Sequence, residues 1–465
     1  MSTLPPSELS QRVYLDYAAT TPMHPEVLDA MLPWLGLAEA GSFANPASLH
    51  SEGKLARQAL DAARAVIAQA IGATPPEIVF TSGGTESNNA LIAGIAQGVR
   101  ARYGPVKGGN LVVTSAFEHH AVLEPIRALR RNGWQTVELK PSRAGLIEPA
   151  ALLVALEQAA AAGGTGSGGA AGGGAADAAR TSGAATGGAA VARDGSGTTT
   201  AAAAQTVSAA AAAAAGGAST PTPTSDFHCT LVSIMTVNNE IGTIQPIDEL
   251  AAISRQHGAL FHTDAVQALG KIPFNVNALG IDAASFSAHK IAGPKGVGAF
   301  YLRTLTPFNA QMLGGGQERD LRSGTVNVAG AVGFAKAVEL ALLQLEAERT
   351  RLAGLRELLV KELAALSPQV HLTIDAEERG FIPNIISILI DGFESEELIM
   401  RLDSAGFAVS GGAACSSASL EPSHVLLSMG LSRRQAQSVL RISLGSNTQA
   451  GDIDGFMQEF RQVVN

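Results

Sequence analysis

The residues of this chain best suited to chemistry are an aspartate and a lysine, Asp264 and Lys290. Asp264 closes the apolar run ALFHTD and Lys290 follows the run AASFSAH, and both runs have the composition of buried strands. A carboxylate buried at a strand end requires a cationic partner. Pyridoxal phosphate supplies one, because its aldehyde forms a Schiff base with a lysine while an aspartate pairs with its pyridinium nitrogen. The pair therefore indicates chemistry at the Cα bonds of amino acids. The alternative for each residue alone is a solvated lysine and a capping aspartate.

A phosphate-binding turn is predicted by the segment IVFTSGGTESNNALIAGIA at 78–96. It has the pattern of a strand, a tight turn and a helix, so backbone N–H groups and hydroxyls converge on one point. Gly83 and Gly84 permit a close approach of the backbone to the anion. The next predicted strand end, in TSAFEHHAV, carries His119. An imidazole there can stack on the cofactor ring or move a proton, and the alternative is a structural histidine.

Cys415 and Arg441 complete the set of candidate chemical groups. Cys415 lies in AVSGGAACSSASLEPSHVL, where Gly, Ala and Ser surround it, so its thiolate is expected to swing between a substrate and an acceptor. The alternative is an incidental small residue. Arg441 lies in the apolar run SVLRISLG, where its guanidinium either holds a substrate carboxylate or forms a structural salt bridge. The segment GGGQERDLRSGTVN adds Thr325 as a candidate phosphate contact, and Cys229 is interpreted as structural.

Strands and helices alternate along most of the chain, which favours a mixed, mostly parallel sheet covered by helices on both faces. Predicted helices cover 50–71, 86–102, 124–132 and 248–257, and predicted strands cover 77–81, 110–115, 136–139, 230–237, 259–264, 283–287 and 298–302. Ligands bind at the carboxyl ends of such strands. The candidate residues Asn239, Asp264 and Lys290 fall at or just beyond strand ends, so they are expected to share one edge of one sheet.

Composition excludes several classes of function. The formal net charge is −9 at pH 7 and there is no basic stripe, so direct binding to nucleic acid is not expected. Two cysteines and no CxxC pair predict neither a disulfide framework nor a metal site. The N-terminus lacks the pattern of a signal peptide, and no strongly apolar run is long enough for a membrane span. A reducing cytoplasm and no membrane partner are the expectation.

The domain organisation is predicted from changes in composition. Residues 159–225 are rich in Ala, Gly, Ser and Thr and contain no Leu, Ile, Phe or Trp. They are interpreted as a flexible insertion in a surface loop, with a docking tail as the alternative. The rest is expected to form an N-terminal segment at 1–17 that joins the small domain, a large cofactor-binding domain at 18–305, and a small α+β domain at 306–465. That domain is expected to contain a long helix at 332–363, the strand PNIISILI and a helix at 396–405.

These motifs together resemble the cysteine desulfurases of the NifS/IscS type, in the class V aminotransferase group of fold-type I pyridoxal phosphate enzymes. The matching segments are VYLDYAATTP, NPAS, FTSGGTESNN, EHHAV, VSIMTVNNEIGTIQPI, HTDAVQALGKIP, SFSAHKIAGPKGVGA, GGGQERDLRSGT, SGGAACSSASLEPSHVL and RISLG. The resemblance implies Lys290 as the Schiff-base lysine, His119 as the ring-stacking acid–base residue and Cys415 as the persulfide-forming nucleophile. It further implies roles around the cofactor and substrate: Asp264 on the ring nitrogen; Asn239 and Gln267 on the ring oxygen; Gly84, Thr85, Ser287 and His289 on the phosphate, with Thr325 from the other subunit of a homodimer; and Arg441, near Asn384, on the substrate carboxylate.

The implied activity is removal of sulfur from L-cysteine, giving L-alanine and an enzyme persulfide for iron–sulfur cluster assembly or for thiolation of cofactors or tRNA. A selenocysteine lyase or a plain transaminase on the same fold is one alternative, and a scaffold without catalysis that docks sulfur-transfer partners is another. The chain departs from the family at Ala288, where Gly is frequent, and at Gln317, where His is frequent. The sequence leaves the sulfur acceptor open.

Overall fold

The computed structural model describes residues 12–36, 42–104, 110–164, 231–366, 368–374, 380–412 and 421–464, which all belong to one compact unit of the chain. Its helices are α1 Pro25–Met31, α2 Ser51–Ala70, α3 Gly84–Tyr103, α4 His120–Arg131, α5 Pro149–Gly164, α6 Ile247–Gln256, α7 Val276–Leu279, α8 Val328–Ala364, α9 Ser395–Ser404, α10 His424–Ser428, α11 Arg433–Gln437 and α12 Ala450–Val464. Its strands are β1 Val13–Tyr14, β2 Ile78–Thr81, β3 Leu111–Ser115, β4 Gln135–Leu139, β5 Leu231–Ser233, β6 Leu260–Asp264, β7 Ala283–Ser287, β8 Gly298–Leu302, β9 Val370–Leu372, β10 Ile385–Ile390, β11 Phe407–Ala408, β12 Ser410–Gly411 and β13 Val439–Ser443.

A seven-stranded sheet forms the centre of the described structure, in the order β2-β8-β7-β6-β5-β3-β4. The strands from β7 through β4 pair in parallel, while β8 runs antiparallel to both of its neighbours. Strands β3, β5 and β7 are buried along their whole length, as expected for strands covered on both faces. The mixed, mostly parallel sheet confirms the predicted α/β class and brings the carboxyl ends of β3, β5, β6 and β7 to one edge.

A second, antiparallel sheet has the order β12-β13-β10-β9 and its own apolar cluster. Helix α12 contributes Ile453, Phe456 and Phe460 to this cluster, and α8 contributes Leu359. The N-terminal strand β1 pairs in parallel with β11, and β11 directly precedes β12 of this sheet along the chain. The division into 1–17, 18–305 and 306–465 stays a prediction, but these pairings show where each segment lies.

Most predicted elements are present, and the differences have local causes. The helix expected at 124–132 begins at His120, because His119 caps it and Pro125 is accommodated inside it. The strand expected at 230–237 ends at Ser233. The insertion was expected to begin at 159, but α5 continues to Gly164, since its alanines are strong helix formers. The rest of the predicted insertion, from 165 onward, lies outside the described residues.

Helix α8, Val328–Ala364, is long and apolar enough to cross a membrane by length and composition alone. Half of its most apolar window is buried inside the protein. Its first turns contribute Ala331, Phe334 and Val338 to the core under the large sheet. Packing against the rest of the chain therefore accounts for much of its apolar character.

A short segment with unusual backbone geometry follows the Gly-rich turn. Glu318, Arg319 and Asp320 have φ values of 47°, 57° and 61°, which L-amino acids rarely adopt in succession. A buried ion pair holds this segment: Arg64 Nη1 and Nη2 donate to the Glu318 carboxylate at 2.7 and 2.6 Å. The same carboxylate accepts from the backbone N–H of Phe80 at 2.8 Å, so the segment is fixed to β2.

Replacing Arg64 is expected to destabilise the fold strongly. Arg64→Ala leaves the Glu318 carboxylate buried without its cation, which costs about 3–5 kcal/mol in comparable cases. Arg57→Ala on the same helix is the matched control, because its partner Asp61 is exposed and such pairs contribute about 0.3–0.5 kcal/mol. Urea unfolding measures both. Equal losses in the two variants would contradict the assigned role of the buried pair.

Candidate active site

A cavity at the carboxyl edge of the large sheet collects most of the predicted site residues. The strand ends of β3, β5, β6 and β7 meet there, and the cavity volume is about 390 Å³. Ten predicted residues line it: Gly84, Thr85, His119, Asn239, Asp264, Gln267, Ser287, His289, Lys290 and Arg441. The topology of one sheet thus brings together side chains from distant parts of the sequence.

Asp264, the last residue of β6, is a buried carboxylate held by two hydrogen bonds. Asn88 Nδ2 on α3 donates to its Oδ2 at 2.7 Å, and the backbone N–H of Val266 donates to its Oδ1 at 2.9 Å. The carboxylate lines the cavity, where a ligand can reach it.

Lys290 ends the short 3₁₀ turn Ala288–Lys290 that follows β7. Its Nζ donates to the carbonyl oxygens of Ala18 and Ala19, both at 2.7 Å. The segment around Ala18 is tied to the turn by Thr21, whose hydroxyl donates to the His289 carbonyl at 2.8 Å. The lysine amine is therefore held at the cavity wall by the N-terminal segment.

The predicted phosphate turn forms the N-terminus of α3. Gly83 has a φ of 153°. The backbone of Gly298 packs against it so closely that a Cβ added to Gly298 would lie 2.7 Å from Gly83 Cα. The hydroxyl-bearing residues Thr85 and Ser287 and the ring of His289 line the space in front of the turn. Glycine on both sides is what allows β8 and this turn to approach, leaving a cup open to an anion.

Neither of the two titratable side chains beside this turn, His289 and Glu86, places an unbalanced charge on it. Burial, followed by the charges of Lys290, Lys271 and Lys295, lowers the pKa of His289 to about 4, so the ring is neutral at pH 7. For Glu86, burial would raise the pKa, but hydrogen bonds from Arg322 and Ser82 outweigh it and leave the pKa lowered. The Glu86 charge is thus neutralised by Arg322 at 2.7 Å rather than directed at the cup.

His119 is the N-cap of α4. Its Nδ1 accepts the backbone N–H of Ala121 at 3.0 Å. A neutral ring that accepts at Nδ1 carries its proton on Nε2. The cap therefore fixes both the ring position and the nitrogen that carries the proton.

Arg441 is fully buried in β13 and reaches the cavity from the second sheet. Its Nη1 donates to the Asn239 carbonyl at 2.9 Å, and its Nη2 pairs with Asp16 at 2.8 Å. Its Nε is buried without a hydrogen-bond partner. The predicted salt bridge is present, and the guanidinium also faces the cavity, so the two interpretations of Arg441 are compatible.

Three predicted residues are not brought into this cavity. Asn384 lines an adjacent cavity of about 140 Å³, which shares Lys290 with the first. Thr325 is exposed and lines neither space within one chain. Cys415 lies outside the described residues, as does Cys229. The roles assigned to these residues stay predictions.

Sequence reasoning missed several residues near the cavity. Asn88 and Glu118 lie within the motifs FTSGGTESNN and EHHAV, but nothing in these patterns indicates that Asn88 binds Asp264 or that Glu118 is buried. Lys271, in ALGKIP, has the appearance of a surface lysine, yet its Nζ donates to Gln267. Asp16, which holds Arg441, is distant in sequence, and the pairing of β1 with β11 and of Asp16 with Ser443 brings it near.

Glu118 is a completely buried acid next to His119. Both of its hydrogen bonds reach the same oxygen: Ser115 Oγ donates to Oε1 at 2.5 Å and the Met235 N–H at 2.9 Å. Its Oε2 has no partner. Burial raises the pKa of Glu118 to about 8, and these two hydrogen bonds offset only part of that effect. At pH 7 this side chain is a neutral acid.

The described residues fit pyridoxal phosphate. The cavity offers a glycine-lined anion cup at the start of α3, a buried carboxylate and a lysine amine. These are the groups required by a phosphate, a pyridinium nitrogen and an aldehyde on one ring.

Comparison with known proteins agrees with this geometry. The chain belongs to the class-V aminotransferase family, whose model matches residues 13–163 and 224–456. Among curated relatives, the cysteine desulfurase IscS of Dictyoglomus turgidum is 37% identical over 98% of this chain and 95% of its own length. A solved NifS-like protein has a TM-score of 0.74 and 31% identity, covering 98% of this chain and 99% of its own. The structure of SspA in complex with cysteine has a TM-score of 0.64 and 29% identity over 93% of this chain and 98% of its own.

Gly298→Ala is expected to distort the anion cup. The new Cβ would lie 2.5 Å from the Phe286 carbonyl and 2.7 Å from Gly83, so the turn must move away. We expect a loss of about 1–3 kcal/mol in stability and about tenfold weaker binding of pyridoxal phosphate in an absorbance titration. Gly354→Ala on α8, where a Cβ meets nothing within 4 Å, is the control and should retain affinity. Unchanged affinity in both would show that the cup does not carry the phosphate.

Glu118→Gln is expected to change the pH dependence of stability. The folded-state pKa of about 8 lies above the unfolded value of 4.5, so the wild type loses stability as pH rises from about 4.5 to 8. The neutral glutamine removes this loss, and the variant gains on the wild type by up to 1.4 kcal/mol per pH unit, an order-of-magnitude bound. Urea unfolding across pH 5–8.5 measures it. Parallel curves would mean that Glu118 is ionised, and Glu124→Gln, an exposed acid on α4, provides the baseline.

Proposed function

We propose that the protein is a cysteine desulfurase, which removes sulfur from L-cysteine to give L-alanine and a persulfide on Cys415. The observation that carries this proposal is the single cavity lined by Lys290, buried Asp264 and the glycine cup. Full-length relatives named cysteine desulfurase and a structural neighbour solved with cysteine support it.

Pyridoxal phosphate, when bound, supplies an electron sink for the bonds at the substrate Cα. Asp264, positioned by hydrogen bonds from Asn88 and Val266, would hold its ring nitrogen. The residues proposed for its phosphate are Gly84, Thr85, Ser287 and His289, and those proposed for its ring oxygen are Asn239 and Gln267. Each of these lines the same cavity, which supports the assignments.

The chain's own groups divide the remaining work. Lys290 is the residue to which the cofactor would be attached, and it then serves as the base for the Cα proton. The carbonyl oxygens of Ala18 and Ala19 position its amine. His119 is the acid–base group for the substrate thiol: because Nδ1 accepts the Ala121 N–H, Nε2 is the nitrogen that exchanges protons, and it accepts the thiol proton only after releasing its own. Arg441 holds the substrate carboxylate, and its preset contacts with Asp16 and Asn239 lower the entropy cost of orientation. Asn384 borders the second cavity beside this position.

Cys415 is proposed as the nucleophile on the basis of its sequence surroundings. Its thiolate attacks the substrate sulfur and forms an S–S bond on the enzyme. The S–C bond breaks with its electron pair left on the substrate carbon, which takes up a proton to become the methyl group of alanine. The persulfide then passes to an acceptor for iron–sulfur cluster assembly or thiolation. We place this activity in the cytoplasm.

A homodimer is proposed as the working form. Many of the exposed large apolar side chains in the described residues fall in two stretches: Met23, Leu28, Leu32, Leu35, Phe43, Leu49 and Leu55, and then Leu305, Met312 and Leu313. The second stretch adjoins exposed Thr325 in sequence. Burial of these stretches between two copies would allow Thr325 of the partner subunit to reach the phosphate.

Cys415→Ser tests the proposed chemistry. A serine hydroxyl stays protonated near neutral pH whereas a thiol is partly ionised, so sulfur transfer should fall by at least about a thousandfold, while cofactor and cysteine still bind. Incubation with L-cysteine, followed by measurement of alanine and protein-bound persulfide, gives the readout. Cys229→Ser is the control and should match the wild type. Alanine formed at the wild-type rate by Cys415→Ser would favour a lyase that needs no persulfide.

A further inference from the structure

A chain of hydrogen bonds leads from Lys271 to Lys290. Lys271 Nζ donates to Gln267 Oε1. Gln267 Nε2 donates to the Ala18 carbonyl at 2.9 Å, and the same carbonyl accepts from Lys290 Nζ at 2.7 Å. Gln267 is almost completely buried and lines the main cavity, whereas Lys271 lines the adjacent one.

The chemistry of its two neighbours fixes the orientation of the Gln267 amide. An ammonium group only donates and a carbonyl only accepts. A flipped amide would place oxygen against the Ala18 oxygen and N–H against the lysine, so both contacts require the observed orientation. Nε2 has a second hydrogen beyond the one given to Ala18. The amide therefore presents a donor, not an acceptor, for a further contact.

The surroundings of Lys271 keep it directed at this amide. Burial, then the charges of Lys290 and Arg441, lowers the pKa of Lys271 to about 7, so the ammonium form is present at and below neutral pH. The other titratable or charged groups around its cavity are Tyr17, His24, Glu348 and Arg349. Within the described residues no acid pairs with Lys271, and Gln267 is its hydrogen-bond acceptor.

We propose that Lys271 is a positioning residue: it locks the Gln267 amide with its oxygen turned away from the cavity and its N–H available to the ring oxygen of the cofactor. An N–H donor stabilises that oxygen in its anionic form. The inference rests on the proposed function, because it assumes that pyridoxal phosphate occupies the main cavity with its ring oxygen beside Gln267.

Loss of Lys271 has a defined consequence under this proposal. In Lys271→Met, Gln267 Oε1 is left buried without a donor, and only the Ala18 carbonyl still orients the amide, so its N–H is held less firmly toward the ring oxygen. We expect about tenfold weaker binding of pyridoxal phosphate. We also expect the pH midpoint of the visible band of the bound cofactor to rise by about half a unit or more. Lys271→Arg retains a cationic donor and should restore both values.

A double-mutant cycle separates positioning from a direct charge effect. Gln267→Leu removes the amide, and Lys271→Met should then add little to it, because Lys271 acts through Gln267. Lys361→Met, at an exposed position on α8, controls for the loss of one positive charge. Thermal unfolding of the cofactor-free variants shows whether each protein folds, independently of cofactor binding.

The outcomes are distinct. The proposal is supported if Lys271→Met raises the pH midpoint of the visible band and this rise vanishes in the Gln267→Leu background. A rise of the midpoint by the same amount in both backgrounds shows a direct charge effect and overturns the proposal. The proposal is also overturned if Gln267→Leu changes the midpoint and affinity while Lys271→Met changes neither. If Gln267→Leu itself leaves affinity and midpoint unchanged, the ring oxygen is not beside Gln267, and the cofactor placement fails together with the inference. Failure of Cys415→Ser to block persulfide formation would refute the activity without touching Lys271.

Discussion

The burial of one carboxylate, Asp264, sets the geometry on which the rest of the site depends. Its hydrogen bond from Asn88 ties the end of β6 to helix α3. The same helix begins at Gly84, in the anion cup, one turn before Asn88. At about 1.5 Å rise per residue, four residues separate cup and amide by roughly 6 Å along the axis. One rigid helix thus spaces a phosphate from a ring nitrogen, and only the strand order that places β6 beneath α3 makes that spacing useful.

Charge balance explains why this edge of the sheet suits anionic ligands. Lys290, Lys271 and Arg441 all lie beside it. Asp16 pairs with Arg441, whereas two other neighbouring acids hold their protons more strongly: burial raises the pKa of Glu118 to about 8 and that of Glu240 to about 7. His289 is neutral because its pKa is lowered to about 4. The cationic side chains at this edge match a ligand that brings a phosphate and a carboxylate, and Asp264 provides an acidic contact for a pyridinium.

The sequence predicts the parts of the site that lie at strand ends and misses the parts that depend on packing between layers. Asp264 and Lys290 are visible because a charged residue closes an apolar run. Asn88 is not visible, because an amide in the second turn of a helix has no pattern that names its partner. The sequence predicts α4 only from residue 124, because a histidine cap and an internal proline are weak signals for a helix that begins at His120. The positive φ of Asp320 is also invisible, since the buried pair of Arg64 and Glu318 imposes it from elsewhere in the fold.

Arg441 shows why the second sheet is needed for chemistry performed at the first. It lies in the middle of β13, paired across the strands with Ser387 and Ser410, so its backbone is fixed by the small sheet. Its guanidinium reaches the Asn239 carbonyl beyond β5 and Asp16 beyond β1. Three separate segments therefore converge on one planar group. Because a guanidinium binds a carboxylate only when its plane is set, these fixed contacts convert a long, mobile side chain into an oriented one. The small sheet contributes this orientation, while the large sheet contributes the cup, the carboxylate and the lysine.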